Sequence, residues 1–323
     1  MLESLLSQPH HGYVTTIAGP SATSLTPTSS PGPPIGRILV TAIAPAVWGT
    51  TYIVTTHLLP AGHPFFAAMM RALPAGLIAI ALSRQLPRGS WWWRSLVLGV
   101  LNMGAFFPLL FIAAQHLPGG VAATLGATQP MVVAFLAVVI LGERLSRWRL
   151  FWGVVGLLGV GLVVLGPDAG LDVIGVLAGI TGAASMGTGV VLTKRWGLPS
   201  GVSATGLVGW QLTAAGLVLL VPALVVDGIP ADLDVGAAVG YVWLGLFGAL
   251  LTYSLWFAGI RRLPVAPTAL LGLLSPLVAA ALGAALAGEV LTGVQVLGFA
   301  MALTAMVAGQ LAHRRRRPLD RHN

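Results

Sequence analysis

The chain has 323 residues, of which 56% are hydrophobic and 8% charged, where soluble domains carry roughly 25% charged residues. So few charges cannot clothe a water-soluble fold of this length, and an integral membrane protein is expected. The formal charge is +8, but the bases stand in short clusters between apolar runs, as loops at a membrane face do, and no nucleic-acid surface is expected. Cysteine is absent, which excludes disulfides, thiolate metal sites and thiol nucleophiles together.

Residues 1–36 are rich in Ser, Thr, Pro and Gly, with an acid at Glu3 and no Lys or Arg before Arg37. They lack a basic n-region and a clean apolar h-region, so a cleaved signal peptide is not expected. Too little apolar surface is present for the stretch to fold alone, and it reads as a disordered cytoplasmic tail. Apolar segments then follow near 37–57, 64–83, 93–115, 118–141 and 149–166. A second set lies near 172–193, 203–226, 236–259, 264–287 and 292–312. Each approaches the roughly 20 residues that cross about 30 Å of hydrocarbon. The expected fold is an all-α membrane protein of about ten transmembrane helices. Residues 313–323, with Arg314, Arg315, Arg316 and Arg317, form a basic cytoplasmic tail.

Charge placement gives an orientation. Bases fall at Arg37, at Arg84, Arg88 and Arg94, and at Arg144, Arg147 and Arg149. They continue at Lys194 and Arg195, at Arg261 and Arg262, and in the final arginine run. Each group occupies every second loop. The intervening loops carry no Lys or Arg, and several are acidic: Asp168 and Asp172, then Asp227, Asp232 and Asp234. Basic loops stay cytoplasmic, so both termini are expected inside a plasma (inner) membrane.

The two sets of five segments are related. Shifted by 146 residues, Leu98 to Leu145 matches Leu244 to Leu291 at sixteen positions, about three times what this composition gives by chance. The matches include Pro118/Pro264, Gly126/Gly272, Pro130/Pro276, Gly142/Gly288 and Glu143/Glu289. Matching loops differ in charge, and five helices is an odd number, so the second copy must be inverted. The expectation is two inverted five-helix repeats, at 37–166 and 172–312, with the site near midplane between them.

Within the spans, Arg71 is the single basic residue. Insertion scales put a central arginine at a cost of about 2.5–3.5 kcal/mol, so it should face the bundle interior. It reads either as a contact for a substrate carboxylate or gating partner, or as an arginine snorkelling to the interface. Pro130 and Pro276 each remove a backbone hydrogen bond and free the carbonyl four residues earlier, at Gly126 and Gly272. Lipid cannot satisfy those oxygens, which points to broken helices lining a cavity, with Thr124, Thr128 and Gln129 beside the first break and Ser275 beside the second. An ordinary kink is the alternative. On the first helix Thr41, Pro45, Trp48, Tyr52 and Thr55 recur at three- and four-residue steps as one polar-aromatic stripe, with Thr51 beside them. Asn102, Trp210, Gln211, Tyr253 and Trp256 add polar or aromatic groups that suit a small ligand or helix packing equally. Glu143 and Glu289 end equivalent helices on opposite faces. Each reads either as a coupling or gate carboxylate or as a loop closure against bases or backbone N–H groups. Trp91, Trp92 and Trp93 beside Arg94 read as an interfacial belt. The Gly153, Gly156, Gly159 and Gly161 run reads as a close helix contact, within the chain or in a homodimer.

These residues together resemble the EamA-type permeases of the drug/metabolite transporter superfamily. Trp48-Gly49-Thr50-Thr51-Tyr52 is similar to that family's first-helix tryptophan–glycine signature, and Arg71 after Phe65-Phe66 to its second-helix arginine. Gly142-Glu143-Arg144-Leu145 is similar to its fourth-helix ending, echoed by Gly288-Glu289. The second copy departs by having Met186-Gly187 in place of the tryptophan–glycine pair and Gln211 opposite Arg71. The resemblance implies export or exchange of a small metabolite.

Enzyme chemistry is not expected. The histidines lie in tails or loop edges without zinc spacing, no G-x-S-x-G elbow or Walker loop occurs, and no intramembrane carboxylate pair is present. No cofactor or metal is expected. A phosphorylated cargo would want several buried bases where this chain offers one. The expected function is a secondary transporter, exporter or exchanger, of a small organic metabolite, amino acid or drug-like solute by alternating access. A non-transporting scaffold or sensor on the same fold is the alternative.

Overall fold

The computed structural model describes residues 35–126, 128–142, 147–164, 172–197, 199–260, 271–272 and 274–311. Glu143, Arg144, Arg261, Arg262, residues 1–34 of the predicted N-terminal tail and the predicted C-terminal tail lie outside them, while Ile35 and Gly36 of the former belong to the first helix. The described residues are helical throughout their regular structure. Helix α1 spans Ile35–Leu58 and α2 Pro64–Ser83. Helices α3 (Trp91–Gly99) and α4 (Phe106–His116) are joined by a π segment, Val100–Gly104. Then come α5 (Gly119–Gly126), α6 (Gln129–Leu141), α7 (Arg147–Val164) and α8 (Val173–Trp196). Helix α9 (Ala204–Pro222) ends in a π segment, Ala223–Asp227. Helices α10 (Val235–Val242) and α11 (Thr252–Ile260) flank a third, Trp243–Leu251. Helices α12 (Leu274–Leu286) and α13 (Gly293–Leu311) complete the chain.

Short polar side chains set several helix starts, because the first four N–H groups of a helix lack internal partners. Asp172 accepts from Ile174 and Gly175, Ser203 from Gly206, and Asp234 from Ala237. Helix is present at each of the ten predicted segments, but seven stretches among the described residues are long and apolar enough to cross a membrane. Three are shorter: Phe151–Leu162, Leu274–Leu286 and Gly293–Ala305. At the start of α12, Ser275 N donates to the Gly272 carbonyl at 3.4 Å.

Helices pair across the chain's midpoint: α2 on α9, α7 on α13, α4 on α8, α1 on α11 and α12, α6 on α8. Apolar collapse gives little drive inside lipid, so close packing of small residues must hold such pairs. Helix α2 meets α9 at glycines of both: a Cβ at Gly76 would overlap Thr213 N, and one at Gly209 would stand 2.9 Å from Ala79 Cβ. Gly159 of α7 lies so close to α13 that a Cβ there would stand 2.7 Å from Ala302 N and the Gly298 carbonyl. Part of the predicted glycine contact is therefore made within the chain. Large apolar side chains such as Leu157, Leu177 and Val225 remain exposed on the outside, as a lipid-facing surface requires.

Candidate functional site

Two π segments stand at equivalent places in the repeat and meet the two singled-out side chains of the second helices. Arg71 of α2 is 2% exposed, and its Nη2 donates to the Gly248 carbonyl at 2.9 Å. Gln211 of α9 is fully buried, and its Oε1 accepts from Asn102 Nδ2 at 2.8 Å. Gly248 and Asn102 are 146 residues apart, the repeat shift itself. A buried guanidinium is a poor candidate for snorkelling, since its head never reaches the surface. It stacks instead under the Phe107 ring, 4.4 Å from the centroid, with Phe111 at 5.9 Å. Arg71 Nε and Nη1 have no hydrogen-bond partner, and no carboxylate pairs with it among the described residues. Asn102 Oδ1 and Gln211 Nε2 are likewise unsatisfied. Gly189 leaves the space Asn102 fills, for a Cβ there would overlap its amide oxygen.

An aromatic cluster adjoins the arginine. Trp48 lies 5.2 Å from Tyr253 and 5.4 Å from Trp256 between ring centroids, and Tyr253 reaches the Phe107 ring at 6.4 Å. Trp48 Nε1 donates to Thr252 Oγ1 at 2.9 Å, which holds α1 to α11. Tyr52 is buried one turn further along α1, its Cβ 3.2 Å from where a Gly119 Cβ would stand and its hydroxyl 3.7 Å from where a Gly126 Cβ would stand. Thr51 is 1% exposed and its hydroxyl is unpartnered.

Both helix breaks fall where proline predicted them. The first chain of helix ends at Gly126 and resumes at Gln129, with Pro130 in the first turn of α6, where its missing N–H costs nothing. Thr128 bridges the gap, its Oγ1 donating to the Leu125 carbonyl at 2.7 Å. Pro276 is buried in the first turn of α12. Each break is met by a glycine of the opposite repeat's first helix. A Cβ at Gly49 would lie 2.7 Å from the Ser275 carbonyl; one at Gly187 would lie 2.9 Å from Val132 Cγ1 and 3.6 Å from the Gln129 carbonyl. The tryptophan–glycine signature thus works through its glycine, which is retained in the Met186-Gly187 copy.

Carboxylates of the second half grip donors of the first at one end of the bundle. Glu289 Oε1 accepts from Gly119 N, the first residue of α5, at 2.8 Å, in space left by Gly283. Asp227 Oδ2 accepts from Phe66 N in the first turn of α2 at 2.9 Å. Asp172 Oδ2 lies 2.7 Å from His116 Nδ1. Glu289 accordingly closes a helix end against backbone N–H; its repeat mate Glu143 falls outside the described residues. The Asp172 carboxyl is held below its ordinary value of 3.8, first by the His116 hydrogen bond and then by the Gly175 N–H. A depressed carboxylate stabilises the fold above that ordinary value, and the contribution vanishes as pH falls through the lower folded value. Asp172→Asn should therefore flatten the acid limb of a melting-temperature profile below about pH 4; parallel profiles for variant and wild type would refute this role.

Among the described residues no cluster of His, Asp and Glu is placed to hold a metal ion. Sequence reading missed Thr252, Phe107, Asp227 and the π segments. Asp227 was visible as a loop acid, and nothing in the sequence tied it to Phe66. The pairing of Gly248 with Arg71 was latent in the repeat shift.

The chain is similar to several known proteins. Protein PecM of Dickeya dadantii is 42% identical over 267 residues, covering 83% of this chain and 90% of PecM. The inner membrane transporter YedA of Escherichia coli is 27% identical over 272 residues, covering 81% of this chain and 86% of YedA. The transporter YwfM of Bacillus subtilis is 26% identical over 291 residues, covering 87% and 96%. A solved crystal structure at 22% identity superposes with a TM-score of 0.62 over 88% of this chain and 99% of its own, which shows a shared fold. YedA and YwfM are transporters by name, not enzymes, and the helices described above make this an integral membrane protein. The EamA-like transporter family matches residues 36–165 and 173–308, and the chain belongs to that family.

Proposed function

We propose that the protein is a secondary transporter of a small organic solute, working by alternating access between two inverted five-helix repeats at 37–166 and 172–312. Ten membrane crossings place both termini in the cytoplasm of an inner membrane, and the basic loops support that orientation. The observation that carries the reading is the exchanged contact pair, Arg71 with Gly248 and Gln211 with Asn102. Two repeats that reach across to equivalent π segments of one another fit a pseudo-two-fold axis in the membrane plane. The paired glycine contacts at the two breaks support it independently.

In this reading the site lies among Arg71, Trp48, Tyr52, Tyr253 and Asn102, with the breaks at Thr128–Gln129–Pro130 and Ser275–Pro276 beside it. Unsatisfied polar groups there await a solute. Helices α2 and α9 are tied at both ends, by Asp227 to Phe66 and by Ser203 N to Gln85 Oε1 at 2.9 Å, so this pair serves as the pivot. The acidic end closes by Glu289 on α5 and by Asp172 on His116. Export requires that these two grips break and re-form in each cycle.

A cross-link tests this without knowledge of the solute's chemistry. A Cβ at Gly120 of α5 would stand 3.5 Å from Ala280 Cβ of α12, close to disulfide spacing. Because the chain has no cysteine, Gly120→Cys with Ala280→Cys gives one defined bond. Oxidation should abolish solute flux from reconstituted vesicles, identified by screening an overexpressing strain, and reduction should restore it. Flux that continues when cross-linking is complete would sink the alternating-access reading. A single Asp232→Cys labelled in intact cells by an impermeant maleimide places the acidic end outside.

A further inference from the structure

A slot of about 410 Å³ lies on the outside of the bundle between α2 and α10, away from the site described above. Its volume falls within the roughly 300–1,000 Å³ of small-molecule sites. Phe66, Met70, Ile78, Val242 and Leu246 give it apolar walls. Ile78, Val242 and Leu233 remain 39%, 54% and 48% exposed, so the slot opens sideways toward lipid rather than into the bundle. It runs along both helices, from Phe66 to Ile78 on one and from Asp234 to Leu246 on the other. At 1.5 Å per residue each edge is about 18 Å long, against about 15 Å for half the hydrocarbon thickness. An acyl chain of one leaflet has that length and that chemistry.

One end of the slot is polar, and one buried group in it lacks a partner. Tyr241 is 5% exposed, its ring packs edge-on against Phe66 at 5.8 Å, and its hydroxyl has no hydrogen-bond partner. Helical side chains lean toward the helix N-terminus, which turns this hydroxyl toward the Asp234 end. An O–H left unsatisfied inside an apolar wall asks for an acceptor such as an ester carbonyl. Asp234 lines that end, Asp227 is bonded to Phe66 N beside it, Asp232 lies two residues before Asp234 in the chain, and no Lys or Arg lines the slot. That charge repels an anionic headgroup and attracts an ammonium.

We propose that this slot binds one bilayer lipid with an amine-bearing headgroup, its acyl chain between α2 and α10, its ester carbonyl on Tyr241 and its ammonium beside the acidic residues. The occupant braces α2, the pivot helix, from the lipid side. The slot stands apart from the transport site, since none of Arg71, Trp48, Tyr52, Tyr253 and Asn102 lines it.

The test is native mass spectrometry of the purified chain, delipidated and then offered equal amounts of phosphatidylethanolamine and phosphatidylglycerol. One phosphatidylethanolamine should be retained per chain, in several-fold preference. Ala238→Phe fills the slot from an exposed position of α10 and should remove the retained lipid. Tyr241→Phe keeps the ring and should weaken retention about fivefold, the worth of one hydrogen bond. Equal or preferred uptake of phosphatidylglycerol would overturn the headgroup assignment, and retention unchanged in Ala238→Phe would overturn the slot itself. Lost solute flux in Ala238→Phe with lipid still bound would give the slot to the transported solute instead.

Discussion

Replacing Arg71 by Met should make the protein more stable and stop it from transporting. The guanidinium gains one hydrogen bond to Gly248, worth about 1.5–3 kcal/mol for a charged donor, and a desolvated contact with Phe107 worth about 2 kcal/mol. Against these stand several kcal/mol for burying the ion and about 1–3 kcal/mol for each of the two unsatisfied groups, Nε and Nη1. The costs exceed the gains. An apolar side chain of similar length should recover about 1–4 kcal/mol, read as a rise of several degrees in the detergent melting temperature. Arg71→Gln imitates the residue that the second repeat carries at this place and should insert normally while solute flux falls at least about tenfold. Arg71→Lys keeps the charge but not the planar fork and should fall between. Wild-type flux in Arg71→Gln at equal abundance would return the arginine to packing; a drop in melting temperature for Arg71→Met would show that its bonds outweigh its burial.

The second large effect is expected at the α2–α9 seam. A Cβ at Gly216 would stand 2.5 Å from Leu73 Cβ, 2.6 Å from its Cα and 2.7 Å from its N. Those atoms belong to the facing helix's backbone or are fixed to it, so no rotamer change relieves the overlap. Gly216→Leu should leave almost no folded protein in the membrane, since forcing the pivot pair apart loses contacts along the whole seam. Gly161 supplies the contrast: nothing lies within 4 Å of a Cβ there, and Gly161→Ala should be neutral or gain about 0.5–1 kcal/mol of helix propensity. Fluorescence size-exclusion profiles of the two variants decide it. A normal monodisperse peak for Gly216→Leu would show that the helices part without penalty.

The membrane class was legible in composition alone, because a bilayer tolerates few charges and demands long apolar helices. The two breaks were legible as well. Proline removes a donor wherever it stands, so Pro130 and Pro276 announced the interruptions near Thr128 and Gly272 before any fold was known. The repeat shift followed from identities in register. The equivalence of Arg71 and Gln211 needed no coordinates either, only an ordered comparison of the two halves.

What each of these residues touches came from tertiary structure. Arg71 could be read as cavity, gate or snorkel, since a residue's position on a helix does not say which neighbour covers it. The bundle places Phe107 over the guanidinium and Gly248 at its tip, which keeps its head from the surface. Glu289 was one carboxylate among several until Gly119 N was found 2.8 Å away, a partner 170 residues distant in sequence. Asp227 looked like a solvated loop acid and proved to finish the first turn of α2. Hydrophobic period and proline chemistry act within one helix turn and are written locally. Caps, buried ions and glycine seams depend on which helices the chain brings side by side, and that pairing exists only once the two halves have packed.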